Sequence, residues 1–301
     1  MGTRMPRSWK LEALVIAGAL NLMTGNARAQ PDASDPAATS PTPPPAQAAT
    51  TTATMPAVAD TRAPPPLEVY DVRLAVDIPV IVLGATAGLL RTYLANHIVD
   101  KRCPCSTDDI NSFDRRAVGN HSDAAALASD ITVGLVLAAP PLLDLLVVGP
   151  NRAFAEDFIV LAETVMVSTL FQQVANFGFQ RPRPRTYEGL AAQVHDGEGY
   201  LSFLAGHVAT TTAVLSAASF TIRRRYGEHV WPWVVTGLVA ASVGTERVLG
   251  GYHFPSDAAL GAALGLGVGL AVPWLHARRP EMQLAVAPAP SGYGLALLGQ
   301  F

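Results

Sequence analysis

Residues 256–276 read Ser256-Asp257-Ala-Ala-Leu-Gly261-Ala-Ala-Leu-Gly265-Leu-Gly-Val-Gly269-Leu-Ala-Val-Pro-Trp-Leu-His276. Up to Leu275 the only charged residue is Asp257, at the start. Such a run is long enough to cross a hydrocarbon layer as one helix, which takes about 20 residues. Gly261, Gly265 and Gly269 fall four apart, one above another on a helix face, and let a neighbouring backbone approach closely. Five further apolar stretches precede it: Leu74 to Ala95, Ala124 to Val148, Phe154 to Phe177, Leu201 to Ile222 and Val230 to Leu249. Each is of spanning length or nearly so. Asp77, Asp130, Asp144, Glu156, Asp157 and Glu163 lie within them, which a large soluble bundle would also allow. Span length and hydropathy favour the membrane, where such charges turn inward. The expected fold is all-α, a six-helix bundle embedded in a membrane.

The rest of the chain fits around that bundle. Of 301 residues, 50% are hydrophobic and 15% charged, enough to bury one sizeable core. A formal net charge of −3 gives no electrostatic case for nucleic acid. Residues 1–29 read as an export signal: Arg4, Arg7 and Lys10, an apolar run from Leu11 to Met23, then Ala27-Arg28-Ala29 as a cleavage site. Residues 30–66, rich in Pro, Ala and Thr, lack the large apolar side chains that would offset ordering and read as a disordered tether. The helical domain runs over 67–279. The tail, 280–301, sets two short apolar segments around Pro290-Ser291-Gly292, a hairpin-like pattern. The expected location is the bacterial cell envelope. Arg223 to Arg225 and Arg278-Arg279 favour a cytoplasmic side for the ends they follow and a pocket facing the periplasm. A cleaved signal followed by six full spans would oppose that orientation.

Three clusters capable of chemistry stand at the ends of the stretches. Asn176-Phe-Gly-Phe-Gln-Arg181-Pro-Arg183-Pro184-Arg185 is a stiff cationic segment that cannot continue a helix, and guanidinium forks suit phosphate oxygens. A basic membrane flank would look the same. In Ser202-Phe-Leu204-Ala205-Gly206-His207, a glycine at a helix start lets free amides meet an anion, with His207 as a proton donor beside it. In Arg247-Val-Leu-Gly-Gly-Tyr-His253-Phe-Pro255-Ser-Asp257, His253 precedes a helix opened by Pro255. The Asp257 carboxylate, four residues on, can hold one ring nitrogen and free the other to attack, or it can simply cap the helix.

In order and spacing these clusters resemble the type 2 phosphatidic acid phosphatase and vanadium haloperoxidase superfamily, with its motifs Lys-x6-Arg-Pro, Pro-Ser-Gly-His and Ser-Arg-x5-His-x3-Asp. Arg183-Pro184 matches the end of the first, Gly206-His207 the end of the second, and Arg247, His253 and Asp257 the third. The resemblance covers Leu74 to His276. It implies a phosphatase acting on a phosphorylated lipid or small phosphoester, with His253 as nucleophile oriented by Asp257 and His207 protonating the leaving oxygen. Arg183, Arg247 and the Gly206 amide would bind the phosphoryl oxygens. It implies no metal and no cofactor in the reaction.

The family Lys falls on Asn176, its Pro on Leu204, its pocket Ser on Ala205, and the Ser before the third-motif Arg on Glu246. Arg181 is the expected substitute for the missing charge, so Asn176 and Arg181 join the candidate phosphate-binding set. The departures keep open a weakened or silent phosphate- or lipid-binding envelope protein, and a vanadate-dependent haloperoxidase is the further enzymatic alternative. Cys103 and Cys105, the only cysteines, can pair in an exported protein or stay idle; a metal site there would need His97 or His121 as well.

Overall fold

The computed structural model describes residues 68–189, 191–278, 283–289 and 292–298. The export signal and the tether lie outside them. Six long helices follow one another: α1 Leu74–Ile98, α2 Asp123–Val148, α3 Arg152–Phe179, α4 Gly206–Tyr226, α5 Trp231–Leu249 and α6 Pro255–His276. Local chemistry sets their ends. The Ser122 hydroxyl accepts the Ala125 N–H to cap α2, and the Asn151 side-chain Oδ1 does the same for the Phe154 N–H in α3. Pro255 occupies the first turn of α6, where its missing N–H costs nothing. Gly149 and Gly227 end α2 and α4 at positive φ.

The fourth stretch begins its helix later than its apolar run suggests, at Gly206 instead of Leu201. Leu201 to Ala205 is non-helical and buried except at Phe203. Its polar groups are satisfied by tertiary partners: Ser202 N–H donates to the Arg181 carbonyl and Ala205 N–H to the Asp257 carbonyl. This segment becomes the floor of the functional site.

α4 is the central helix and touches α2, α3, α5 and α6, while α1 lies along α3. The glycine row of α6 meets the backbone of α4 as its spacing predicts. A Cβ on Gly261 would sit 2.7 Å from the Ala205 carbonyl oxygen, and Gly265 and Gly269 press on the carbonyls of Ala209 and Ala213 in the same way. On α1, a Cβ on Gly84 would lie 2.6 Å from the Met166 carbonyl oxygen of α3.

The burial pattern decides between the membrane and a soluble bundle. Leu83, Leu89, Leu135, Leu143, Leu146 (79% exposed) and Trp274 face outward. Asp77, Glu156, Asp157 and Glu163 are buried among the helices. A water-soluble bundle has the opposite distribution; apolar surroundings reward this one. Among the described residues, four segments are long and apolar enough to cross a membrane: α1, α2, α6 and Arg152–Glu188, which contains α3. The expectation of six such segments is therefore corrected to four. α4 is rich in Thr and Ser and ends in Arg223, Arg224 and Arg225, and α5 carries Glu246 and Arg247. Their polarity is tolerated because α4 is enclosed by its neighbours.

Successive helices run antiparallel, so the C-terminal ends of α1, α3 and α5 and the N-terminal ends of α2, α4 and α6 gather at one end. At the other end the chain closes on itself. Asp71 N–H donates to the His276 carbonyl and Arg278 N–H to the Val69 carbonyl, beside a Tyr70–Ala277 bridge. In the tail, backbone pairing joins β1 (Gln283–Ala289) to β2 (Gly292–Leu298) in one antiparallel ladder. Two strands alone are marginal, and the helical fold does not depend on them.

Candidate active site

The site lies where the three clusters meet. His253 stands in the loop between α5 and α6, buried, and its Nδ1 is 2.7 Å from the Ser202 carbonyl oxygen. A carbonyl only accepts, so Nδ1 carries the proton and Nε2 keeps its lone pair. Burial, reinforced by the nearby Arg247 and Arg183 cations, holds this imidazole well below its ordinary pKa. It is neutral at neutral pH and fit for nucleophilic attack.

Asp257 does not hold His253, contrary to the sequence expectation. Its carboxylate accepts from the Ser202 hydroxyl, from the Phe254 N–H at the start of α6, and from Arg181. Being three residues past the N-cap, it turns back on that cap instead of reaching the ring. It acts on His253 through Ser202, whose hydroxyl it holds and whose carbonyl orients the imidazole.

Arg181 is likewise not in the pocket. Its guanidinium bridges Asp257 and Asp114 (2.8 Å to Asp114) and lies over the Phe254 ring. Burial alone would raise the Asp114 carboxyl, but bonds from Arg181 and Ser256 outweigh it and hold that pKa below its usual value. The substitute for the missing lysine charge is thus consumed by two carboxylates. Asn176, at the lysine position, is fully buried and donates through Nδ2 to the Gln172 carbonyl at 2.8 Å and the Leu204 carbonyl at 3.5 Å. Ala205 packs with Val208, Val243 and Ala258. Glu246 takes the Ser242 hydroxyl of its own helix.

The remaining predicted residues do come together. The guanidinium of Arg247 lies 4.2 Å from the centre of the Tyr252 ring, that of Arg183 at 5.4 Å, and that of Arg185 at 4.6 Å. The Nε atoms of all three are buried without a hydrogen-bond partner. Three donors in one place cannot be left unpaired cheaply, and an anion is the group that satisfies them. Glu198 takes Arg91 at 3.0 Å and a terminal nitrogen of Arg183 at 3.4 Å, and these cations overcome burial to hold its carboxyl below the ordinary range. Arg183 is thereby fixed with its Nε still free.

His207, at the start of α4, places Nε2 2.9 Å from Asp130 of α2, and the same carboxylate oxygen is 3.2 Å from Arg247. Gly206 beside it faces the Gln172 carboxamide so closely that a Cβ there would require that side chain to shift. Asp130, Gln172, Arg185 and Tyr252 are site residues that motif spacing does not reveal. Arg185 and Tyr252 flank motif residues; Asp130 and Gln172 lie on other helices and carry no local signal. Cys103 and Cys105 are joined in a disulfide, with Cys103 packed near Tyr200 and Leu201.

Fold and site together define a helical-bundle protein with a histidine and three arginines around an anion pocket. The PAP2 superfamily model matches residues 157–281, from within α3 to just beyond α6. Among solved structures, LpxE of Aquifex aeolicus is similar, with 21% identity, 55% of this chain and 96% of that chain covered, and a TM-score of 0.39. A PAP2-type phosphatidylglycerolphosphate phosphatase of Bacillus subtilis is similar too, with 17% identity, 66% and 94% covered, and a TM-score of 0.40. No curated protein matches the chain.

Proposed function

We propose that this chain is an envelope phosphatase that hydrolyses the phosphomonoester or diphosphate of a membrane lipid through a phosphohistidine on His253. The observation that carries the reading is the set of three buried, unpartnered arginine Nε donors beside a neutral histidine. Phosphoryl transfer asks mainly for position and for donors aimed at the equatorial oxygens, and this pocket supplies both. His253 Nε2 attacks phosphorus as the bond to the leaving oxygen breaks, and His207 gives that oxygen its proton. Water then cleaves the P–N bond, releasing phosphate. Asp130 holds His207 and Arg247 in the meantime. The Gln172 carboxamide, against Gly206, is the neutral donor that takes the place of the missing lysine and serine.

A lipid as substrate is supported by a cavity of about 780 Å³ between α4, α5 and α6. It is lined by small and apolar residues, among them Trp233, Gly237, Ala241, Ala259, Ala263 and Leu266, and reaches Leu249 and Pro255 on either side of the His253 loop. An acyl chain there would leave its headgroup at the arginines. Arg223 to Arg225 and Arg278, at the opposite end of the bundle, support a pocket on the periplasmic face.

Phosphate release by the detergent-solubilised protein tests the reading, with phosphatidate, polyprenyl diphosphate and soluble phosphomonoesters as the panel. Turnover of a lipid substrate, lost in His253→Ala, is the expected result. Saturable phosphate binding with no turnover of any of them would make the chain a silent binding protein instead.

A further inference from the structure

We propose that Asp77 of α1, Glu163 of α3 and His276 of α6 form a binding site for a divalent cation of the zinc class, at the end of the bundle away from the phosphate pocket. Their donor atoms all lie within 4.8 Å of one another. Asp77 and His276 are each 21 residues from the pocket end of their helices, roughly 30 Å at 1.5 Å per residue. The site is independent of the phosphatase reading.

His276 is set up as a ligand. Its Nδ1 is 2.9 Å from the Val272 carbonyl oxygen, so Nδ1 carries the proton and Nε2 presents a lone pair. That lone pair faces Glu163 Oε2 at 3.2 Å and Asp77 Oδ1 at 3.4 Å. A neutral imidazole nitrogen and two carboxylate oxygens repel one another unless a positive charge lies between them.

A proton on Nε2 does not meet the geometry. Glu163 is 7% exposed, yet its Oε2 has no hydrogen-bond partner, and the Asp77 oxygen is beyond ordinary hydrogen-bond reach. Glu163 Oε2 thus lies within reach of Nε2 without a hydrogen bond to it, as it would if a third atom lay between them. Zinc bonds of 2.0–2.2 Å in a tetrahedron put ligand atoms roughly 3.3–3.5 Å apart, close to the 3.2 and 3.4 Å found from the imidazole nitrogen to the two carboxylates.

Charge points the same way. Among the described residues, no Lys or Arg side chain pairs with Asp77 or Glu163. An imidazolium would leave one negative charge uncompensated in a buried place, whereas a divalent ion balances both carboxylates. One nitrogen and two oxygens suit zinc better than calcium, which takes six to eight oxygens. The second Asp77 oxygen accepts the Arg73 N–H at 2.7 Å, which fixes the first toward the site. Bound metal would tie α1, α3 and α6 together.

The test titrates the EDTA-stripped, detergent-solubilised full chain with Zn²⁺, and with Co²⁺ as an optical probe. One equivalent is expected to bind, with a tetrahedral cobalt spectrum. Glu163→Gln and His276→Gln should each weaken binding ~100-fold or more and abolish the zinc-induced rise in melting temperature. Phosphate release by these variants should be unchanged, as the residues are remote from the pocket. Should either variant fail to fold, Asp77→Asn with the wild-type titration carries the test. Absence of saturable binding to the wild type, or equal affinity in wild type and variants, would overturn the site.

Discussion

In the proposed mechanism His253 and the three arginines divide the chemistry between a nucleophile kept neutral and guanidinium groups whose Nε donors stay unpartnered. His253→Ala should lower turnover by at least ~10³-fold without unfolding the chain, since the ring makes its hydrogen bond to a loop carbonyl and not within the apolar core. Labelled phosphate trapped on the wild type and absent from the variant would check it. Arg185→Ala or Gln172→Ala should each cost about 100-fold in kcat/KM, the scale of one lost transition-state donor, and steady-state kinetics on the same substrate decide. Restoring the motif with Asn176→Lys and Ala205→Ser should not raise activity. The lysine would replace a fully buried amide that holds the Leu204 carbonyl, and the serine hydroxyl would enter an apolar cluster. A gain in kcat from that pair would show that both positions reach the phosphate after all.

At the scale of elements, the site depends on how closely α6 lies on α4. Both helices begin at the pocket, and Ala205 N–H and the Asp257 carbonyl join them there. Gly265→Leu puts a side chain where the Ala209 carbonyl already stands, so it should destabilise the bundle by about 1–3 kcal/mol or more. Thermal unfolding in detergent measures that, and phosphate release should fall with it. Gly267→Leu, on the same helix with open space around it, is the control and should leave both unchanged.

For the whole molecule, the outward apolar surface and the inward carboxylates predict retention in the membrane pellet after carbonate extraction; recovery of the mature chain in the soluble fraction would contradict the embedded bundle. Acid should destabilise the fold. Asp114 and Glu198 have folded-state pKa values below their ordinary ones, so their contribution is full above roughly pH 4.5 and is lost as pH falls through the folded values. His253 is also depressed, so below about pH 6.5 the unfolded chain takes up a proton that the folded chain refuses. The melting temperature should therefore be level above pH 7, begin to fall near pH 6.5 and fall further below pH 4.5.

Hydrophobic run length and the spacing of Arg183, Gly206, His207, Arg247 and His253 are local quantities, and the amino-acid sequence by itself determined from them the helical class, the bundle and five residues of the candidate pocket. The Gly261, Gly265 and Gly269 row was legible for the same reason, because helical periodicity alone puts the three on one face. Partner choice is not local. Asp257 and Arg181 carry the right charges at the right spacing, yet they satisfy each other and Asp114, a carboxylate 67 residues before Arg181 in the chain. Asp130, Gln172 and the meeting of Asp77, Glu163 and His276 arise from helices distant in sequence. Only the tertiary structure decided these, because a buried charge takes whichever counter-charge packing brings within reach, and packing is a property of the assembled helices.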